Sequence, residues 1–222
     1  MRIAGKTLNR RITTAILTGR ISAIAMACVV LTSCSNSVTG LPAGETINTS
    51  SDSKSPRQTD ENGVQLPFDN TFSDRWNSSN DGTSYEPCTV DKRKLTGIGI
   101  DASSVRDAAI VDGQSLRGCR WKYLPPKTTF QDIYQAVVNS ESLEWYKIHN
   151  SIGNIWLPDR VVDGRSVGTA SDKSGGCIAY LQSGAAAVIT GASYNLTPSL
   201  PVPEICGYVI DMVTATIDKI PK

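Results

Sequence analysis

The segment RVVDGRSVGTASDKSGGCIAYLQSGAAAVIT, residues 160–190, decides the fold of this chain. Its first part consists of two strand-like runs, residues 160–162 and 165–170, joined by Asp163-Gly164. Asp-Gly is a strong signal for a two-residue hairpin turn, because both central positions of that turn need a positive φ. The first part therefore predicts two adjacent antiparallel strands.

The second part of the segment predicts another hairpin. Its expected strands are residues 176–181 and 186–190, with the turn at Ser183-Gly184. Residues 185–189 are apolar without interruption, which is typical of a strand that is covered on both faces. We therefore expect this strand to lie at the centre of the sheet.

Two more strands are predicted upstream of this segment. Residues 119–124 alternate polar and apolar side chains, which is the period of a half-buried strand. Residues 133–139 are rich in residues that favour strands, although a helix over residues 129–138 is the alternative. Residues 101–110 fit either a helical turn or a loop, for which Ser103-Ser104 is a suitable cap.

Helices are expected on both sides of these strands in the chain. One covers residues 89–96, with Pro87 in its first turn, and a second covers residues 142–148. The last runs to about residue 219, and its apolar residues fall on one face at three- and four-residue steps: Ile205, Val209, Met212, Val213 and Ile217. The order of these elements predicts an α+β fold, an antiparallel β-sheet with helices packed on one face.

The N-terminal region has the pattern of an export signal. Residues 1–20 carry five basic residues and no acidic one, and an apolar run over residues 21–31 follows. This run is too short for a transmembrane helix, which needs about 20 residues, and it fits a secretory signal peptide. The closing Leu31-Thr32-Ser33-Cys34 resembles the bacterial lipobox in all four positions, which implies cleavage before Cys34 and a diacylglycerol on its sulfur.

A lipidated Cys34 would place the protein at the cell membrane, on its extracytoplasmic face. Two acyl chains give stable anchoring, whereas one chain gives only marginal binding. The segments expected from this interpretation are a cleaved signal peptide over residues 1–33, a lipidated N-terminus with a disordered tether over residues 34–85, and an α+β domain over residues 86–222. The tether is predicted from its many Ser, Thr, Asn, Asp and Gly residues, although the apolar patch at residues 64–68 and Trp76 are candidates for docking on the domain.

Removal of the signal peptide changes the charge balance of the chain. Five of the 22 basic residues lie in residues 1–33, so the remainder carries four more acidic than basic residues. Nucleic-acid binding depends on neutralising phosphates with Lys and Arg, and this balance excludes it as the expected function. The expected partners are the membrane, through the lipid on Cys34, and an envelope protein or lipid-like ligand.

Four cysteines remain after Cys34. An even number of cysteines in an exported chain indicates two disulfides, and four cysteines allow three pairings. We favour pairs that each close a loop of about 30 residues: Cys88–Cys119 and Cys177–Cys206. A metal site is not expected, because no two of these cysteines form a Cys-x-x-Cys pair and the chain has a single histidine, His149.

The order of these pieces resembles a known family. Pro87-Cys88 begins a helix, Gly118-Cys119-Arg120-Trp121 begins a strand, Val162-Asp163-Gly164-Arg165 forms a hairpin, and Cys206 lies in a C-terminal helix. This arrangement is similar to the actinobacterial lipoproteins of domain-of-unknown-function family 3558. The resemblance implies a cell-envelope lipoprotein without an established activity, with a fold similar to α/β sandwiches that mostly serve as binding or assembly modules.

The sequence contains no catalytic constellation that we recognise. His149 is the only histidine available as a base, and Ser174-Gly175-Gly176-Cys177 is better explained as a turn before a strand than as a nucleophile loop. Aromatic residues are candidates for an apolar groove, with core packing as the alternative: Trp121, Tyr123, Trp145, Tyr146 and Trp156. We therefore expect no cofactor and no enzymatic activity, and predict a binding or assembly module. The alternatives are a passive surface lipoprotein and a hydrolase with an unrecognised site.

Overall fold

An antiparallel sheet of seven strands dominates the fold. The computed structural model describes residues 55–125, 132–193 and 200–222. Within them are seven strands, three α-helices and two disulfides. The elements in chain order are α1 (Lys92–Gly97), β1 (Ile100–Asp107), β2 (Arg117–Tyr123), β3 (Asp132–Asn139), α2 (Leu143–His149), β4 (Asn154–Val162), β5 (Arg165–Asp172), β6 (Cys177–Ser183), β7 (Ala186–Ser193) and α3 (Val202–Thr216).

The strands lie in the order β1-β2-β3-β7-β6-β5-β4, and each neighbouring pair is antiparallel. The predicted central strand is confirmed, because β7 occupies the fourth of the seven positions. β7 pairs with β3 from Asp132↔Ser193 to Asn139↔Ala186. The chain between β3 and β4 therefore travels from the middle of the sheet to its edge, and α2 lies in that connection.

The first predicted hairpin is confirmed, and the turn of the second lies one residue later than expected. Asp163 and Gly164 have φ values of +47° and +72°, as a type I′ turn needs. In the second hairpin Ser183 pairs with Ala186, so the turn is Gly184-Ala185. Gly184 has a φ of +58°, and this position selects the turn because residues with a Cβ avoid the left-handed region.

The expectation of a helical turn or loop over residues 101–110 is wrong, because Ile100–Asp107 is strand β1. Its pairing with β2 shifts register between Asp101 and Arg106. A bulge of this kind breaks the alternation of buried and exposed side chains, which is the signal that identifies a strand in a sequence. The competing interpretation of residues 133–139 is resolved in favour of strand β3.

The helices lie on both faces of the sheet, which corrects the expectation of one face. On β6, Cys177, Ala179 and Leu181 pack in the hydrophobic core with α3. Tyr180 lies between them and points to the other face, where it packs with Leu143 of α2. Successive side chains of a strand point to opposite faces, so α2 and α3 cover opposite sides.

The predicted tether is corrected over residues 55–85, because this segment packs on the sheet. Leu66 and Tyr85 are buried in the core, whereas Val64 is half exposed. Polar side chains bind the backbone of the segment itself: the Asn70 amide donates to the carbonyl oxygens of Arg57 and Phe72 at 2.9 and 3.0 Å. The polar side chains that suggested a solvated tether thus form hydrogen bonds with the backbone of an ordered loop. Residues 1–54, with the predicted signal peptide, Cys34 and the rest of the tether, lie outside the described residues.

Candidate functional site

The structure joins the four cysteines in the favoured pairing. Cys88 and Cys119 connect the turn before α1 to β2, and Cys177 and Cys206 connect β6 to α3. All four residues are buried. Their position in the core indicates that the disulfides hold the sheet to its flanking elements.

A buried ionic cluster lies beside the first disulfide. The Glu86 carboxylate accepts hydrogen bonds from Arg75 at 2.9 and 3.1 Å and from Arg117 at 3.1 Å. Arg75 also donates to Asp107 at 2.8 Å and to the Cys88 sulfur at 3.1 Å. Charges this deeply buried are found only when they are paired and hydrogen-bonded.

The two guanidinium groups of this cluster differ in environment. Burial lowers the pKa of Arg117, where the attraction of Glu86 offsets burial only in part. Burial also acts to lower the pKa of Arg75. The hydrogen bonds and charges of Glu86 and Asp107 outweigh burial there, so the pKa of Arg75 is raised. Arginine stays protonated in proteins, so both groups are cationic at neutral pH. No motif or periodicity in the sequence points to this cluster.

The aromatic residues proposed as one groove are divided between the two faces. Trp121 and Tyr123 on β2 are 1 % and 3 % exposed and belong to the core beneath α3. Trp156 packs instead with the cluster on the α2 face, and Trp145 lies on α2 itself. A single groove formed by all five predicted aromatic residues is therefore wrong, and Trp121 and Tyr123 are core residues.

A cavity of about 380 Å³ lies on the α2 face, between α2, β3 and the loop before β2. We call it the α2 cavity. Its wall is formed by Ser115, Leu116, Tyr134, Ala136, Val138, Asn139, Trp145, Tyr146, His149, Asn150 and Ile189. Two of the predicted aromatic residues, Trp145 and Tyr146, are thus brought together with residues that the sequence did not single out as a group.

Helix α2 places Trp145 and His149 on the same side of the cavity. Ser142 caps the helix, because its hydroxyl accepts a hydrogen bond from the Trp145 N–H at 3.0 Å. The Trp145 and His149 rings stack with their centroids 3.9 Å apart, as the i, i+4 spacing permits. His149 Nδ1 lies 2.8 Å from the Trp145 carbonyl oxygen. A carbonyl only accepts, so Nδ1 carries a proton, and in that tautomer Nε2 is the ring nitrogen that can accept.

Tyr134 forms the opposite wall of the cavity from β3. It pairs with Gly191 on β7, and its ring lies across that glycine. A Cβ added at Gly191 would come within 2.4 Å of Tyr134 Cζ and Oη, so only glycine leaves room for the ring. Burial raises the pKa of Tyr134 to about 12, and the charges of Tyr146 and Asp172 add to the effect. The hydroxyl of Tyr134 therefore stays protonated and is a hydrogen-bond donor.

Tyr146 connects the cavity to a cluster of aromatic rings. Its ring centroid is 4.7 Å from that of Tyr180 and 6.1 Å from that of Trp156, which it meets edge to face. Burial raises the pKa of Tyr146, so its hydroxyl is also a donor. The indole N–H of Trp156 is enclosed and has no hydrogen-bond partner within the described ranges. Ring packing thus fixes the shape of this wall while leaving donor groups uncommitted.

Two other cavities have charged residues in their walls. One, of about 300 Å³, is lined by Asp60, Glu86, Asp91 and Lys219 among others. A second, of about 440 Å³, is bordered by Arg165. The Arg165 guanidinium donates to the carbonyl oxygens of Ile220 and Pro221 at 2.6 and 2.9 Å, so it holds the C-terminal residues. The α2 cavity differs from both in its continuous aromatic wall.

The serine considered as a nucleophile serves a turn. The Ser174 hydroxyl donates to Asp172 at 2.7 Å, and the same carboxylate oxygen accepts the N–H groups of Ser174 and Gly176. Gly175 between them has a φ of +89°. This geometry matches the expected turn before a strand. Across residues 55–125, 132–193 and 200–222, no group of three or more acidic, histidine or cysteine side chains is arranged to hold a metal.

The helices of the described ranges include none that is long and apolar enough to cross a membrane. No curated protein and no solved structure matches the chain. A protein-family model matches residues 29–219, which is most of the sequence, and its description is "Protein of unknown function (DUF3558)". This chain belongs to that family.

Proposed function

We propose that this protein is a lipid-anchored, non-catalytic binding module of the bacterial cell envelope, and that it takes a small, mainly apolar ligand in the α2 cavity. The observation that carries the proposal is the aromatic wall of the cavity. Ligand sites are typically concave, mostly apolar and about 300–1,000 Å³ in volume, with a few polar groups that orient the ligand. The α2 cavity has each of these properties.

The architecture around the cavity suits binding more than chemistry. β3 and β7 form a rigid floor through eight consecutive residue pairs, and α2 forms one wall. The only histidine, His149, is committed through Nδ1 to the Trp145 carbonyl oxygen and stacked on the Trp145 ring. A general base needs an orienting partner and a nucleophile within hydrogen-bond reach. The described contacts of His149 serve its position in the wall instead.

The membrane anchor is proposed from the sequence motif at Cys34. Twenty residues separate Cys34 from Ser55, the first described residue. A chain of that length spans at most about 70 Å when fully extended. An anchored domain would therefore stay within this distance of the bilayer, where apolar ligands concentrate.

Ligand binding is tested with residues 35–222, which contain the described fold and both disulfides. The probe is 6-propionyl-2-(dimethylamino)naphthalene, whose emission shifts to shorter wavelength in an apolar site. We expect saturable 1:1 binding, and we expect Ser115→Trp to reduce it because a larger side chain at the cavity wall occupies the space. Ser103→Trp, on the exposed side of β1, is the matched control and should bind as the parent does. Absence of saturable binding, or equal binding by Ser115→Trp, would contradict the proposed site.

The anchor is tested separately in cells by membrane fractionation. Cys34→Ala removes the acceptor of the lipid, so we expect the variant to leave the membrane fraction. Cys88→Ala together with Cys119→Ala is the control for loss of cysteines as such, and any folded fraction of it should remain with the membrane. Continued membrane association of Cys34→Ala would refute the anchor without affecting the cavity.

A further inference from the structure

The α2 cavity presents hydrogen-bond donors that the protein does not use. The hydroxyls of Tyr134 and Tyr146 both belong to residues of the cavity wall. Neither hydroxyl has a hydrogen-bond partner among the residues that the structure describes. Tyr180 of the same aromatic cluster differs, because its hydroxyl donates to Ser140 at 3.1 Å. Both hydroxyls are therefore available to donate to an acceptor on a ligand in the cavity.

The two asparagine side chains of the wall are committed within the protein. The Asn139 amide donates to Ser78 at 2.9 Å and to Asp81 at 2.8 Å, and its oxygen accepts from the Gly82 N–H. The Asn150 amide donates to the Tyr146 carbonyl oxygen at 2.9 Å. Among the described residues of the wall, the side-chain donors without a hydrogen-bond partner are therefore the two phenolic hydroxyls, the Ser115 hydroxyl and the Trp145 indole N–H.

The charge of the wall selects against an anion. None of the eleven described residues that line the cavity is Lys, Arg, Asp or Glu. The nearby Lys147 is paired with Asp159 at 2.6 Å and lies over the Trp156 ring, so its charge is already matched. Placing a carboxylate or phosphate here would cost its hydration without a cation in return. Burial raises the pKa values of Tyr134 and Tyr146, which means that a negative charge on either phenol is disfavoured in this environment.

The shape of the wall favours a flat ring. The stacked Trp145 and His149 rings form one side, and the Tyr134 ring lies across Gly191 on the other. Flat apolar surfaces of this kind bind aromatic groups by stacking and edge-to-face contact. His149 Nε2 adds one acceptor, which suits a ligand that also carries a donor.

We propose that the ligand of the α2 cavity is an uncharged, flat molecule with a carbonyl oxygen that accepts hydrogen bonds from Tyr134 and Tyr146. This inference rests on the proposed function, because it names the class of ligand for the same cavity. The carbonyl replaces the missing partners of the two hydroxyls, and the ring fills the space between Trp145 and Tyr134. A pure hydrocarbon would leave both hydroxyls without partners in the bound state.

Three naphthalene probes test the proposal: 2-acetylnaphthalene, 2-ethylnaphthalene and 2-naphthoate. They share the ring system and differ in carrying a carbonyl, no acceptor, or a negative charge. A hydrogen bond contributes roughly a three- to tenfold difference in affinity, so we expect 2-acetylnaphthalene to bind that much more tightly than 2-ethylnaphthalene. We expect 2-naphthoate to bind more weakly than either neutral probe at neutral pH.

Variants of the two tyrosines locate the hydrogen bond. Tyr134→Phe and Tyr146→Phe together should reduce the ratio of acetyl to ethyl affinity to about one, while 2-ethylnaphthalene binding stays unchanged. Tyr208→Phe, on α3 at the other face of the sheet, is the control and should keep the ratio of the parent. These outcomes support the assignment of the two donors.

Three results would overturn the proposal, and they are distinguishable from failure of the proposed function. Equal binding of the acetyl and ethyl probes by the parent protein would show that a ligand carbonyl contributes nothing to affinity. The cavity would still be a binding site. Tighter binding of 2-naphthoate would show that the site takes an anion. An unchanged ratio in the double tyrosine variant would place the hydrogen bond elsewhere. Failure of all three probes to bind would instead refute the proposed function itself.

Discussion

Replacing Glu86 by Gln should destabilise this protein more than an ordinary surface change, because Glu86 lies between two buried arginines. Its carboxylate accepts from both Arg75 and Arg117, and all three side chains are almost fully buried. Gln keeps the shape of the Glu86 side chain but lacks its negative charge. The hydrogens of its amide would face the guanidinium groups, which donate hydrogen bonds and do not accept them. Arg75 would then keep one carboxylate partner, Asp107, whereas the Arg117 guanidinium would lose the carboxylate with which it forms an ion pair.

The expected magnitude follows from this geometry. Removing one partner of a buried ion pair costs about 3–5 kcal/mol, because the other charge is left uncompensated. Domains have a free energy of unfolding of about 5–15 kcal/mol, so Glu86→Gln should remove a large fraction of it. At about 2–4 °C per kcal/mol for a domain of this size, the melting temperature should fall by roughly 6–20 °C.

The assay is urea unfolding of residues 35–222 with intact disulfides, followed by tryptophan fluorescence and circular dichroism. Asp91→Asn is the control, since the Asp91–Arg93 pair is exposed and should contribute less than about 1 kcal/mol. Combining Glu86→Gln with Arg117→Met should cost less than the sum of the two single changes, because both remove the same interaction. A loss for Glu86→Gln no larger than that of Asp91→Asn would refute the reasoning.

Three further predictions concern other parts of the fold. Burial alone would raise the pKa of Asp172, but hydrogen bonds to its carboxylate outweigh burial and lower it. Its stabilising contribution is therefore complete above the unfolded value of about 3.9 and is lost as the pH falls towards the folded pKa. Asp172→Asn should thus reduce the free energy of unfolding at pH 7, and this loss should become smaller as the pH falls below about 3.9. A loss of the same size at pH 7 and at low pH would contradict this. Replacing Cys177 and Cys206 by Ser should cost about 3–4 kcal/mol in urea unfolding, because the bridge closes a loop of about 30 residues; a loss below about 1 kcal/mol would show that the bridge constrains little. Gly118→Ala should cost roughly 3 kcal/mol in thermal unfolding, because its Cβ would lie 2.1 Å from a backbone oxygen of β3, whereas Gly97→Ala has open space and should be neutral or slightly stabilising; equal melting temperatures for the two variants would contradict the close approach.

The candidate site shows how far sequence reasoning reaches. Trp145 lies on the predicted helix over residues 142–148, but His149 follows that helix. The structure extends α2 to His149, and the i, i+4 spacing then allows the two rings to stack. Tyr134 lies on a predicted strand, but its position across from α2 depends on the pairing of β3 with β7. Trp121 lies on β2 in the core beneath α3, whereas Trp145 lies on α2 at the cavity, and this difference depends on the packing of α2 and α3 on opposite faces of the sheet. The cavity could not be predicted because its walls come from three distant parts of the chain.

Residues 55–85 show that sequence reasoning can also miss an ordered segment. Their composition is that of a solvated chain, and the sequence offers little apolar surface to hold them. The structure holds them instead through polar contacts across long separations, such as Arg117 donating to the carbonyl oxygen of Asn80 at 3.0 Å. A buried arginine satisfied by a loop backbone leaves no periodic signal, because neither partner is apolar.

Local backbone chemistry made several features predictable from the sequence: the Asp163-Gly164 turn, the apolar face of α3 and the strand character of β2 and β7. For β3 the sequence left a helix as the alternative. The tertiary structure decided which face α2 covers, that β1 is a strand, that residues 55–85 belong to the fold, and which aromatic rings share a cavity. The physical reason is that φ preferences and side-chain periods act over a few residues. Burial and hydrogen-bond partners, in contrast, are set by residues that meet only after the chain has folded.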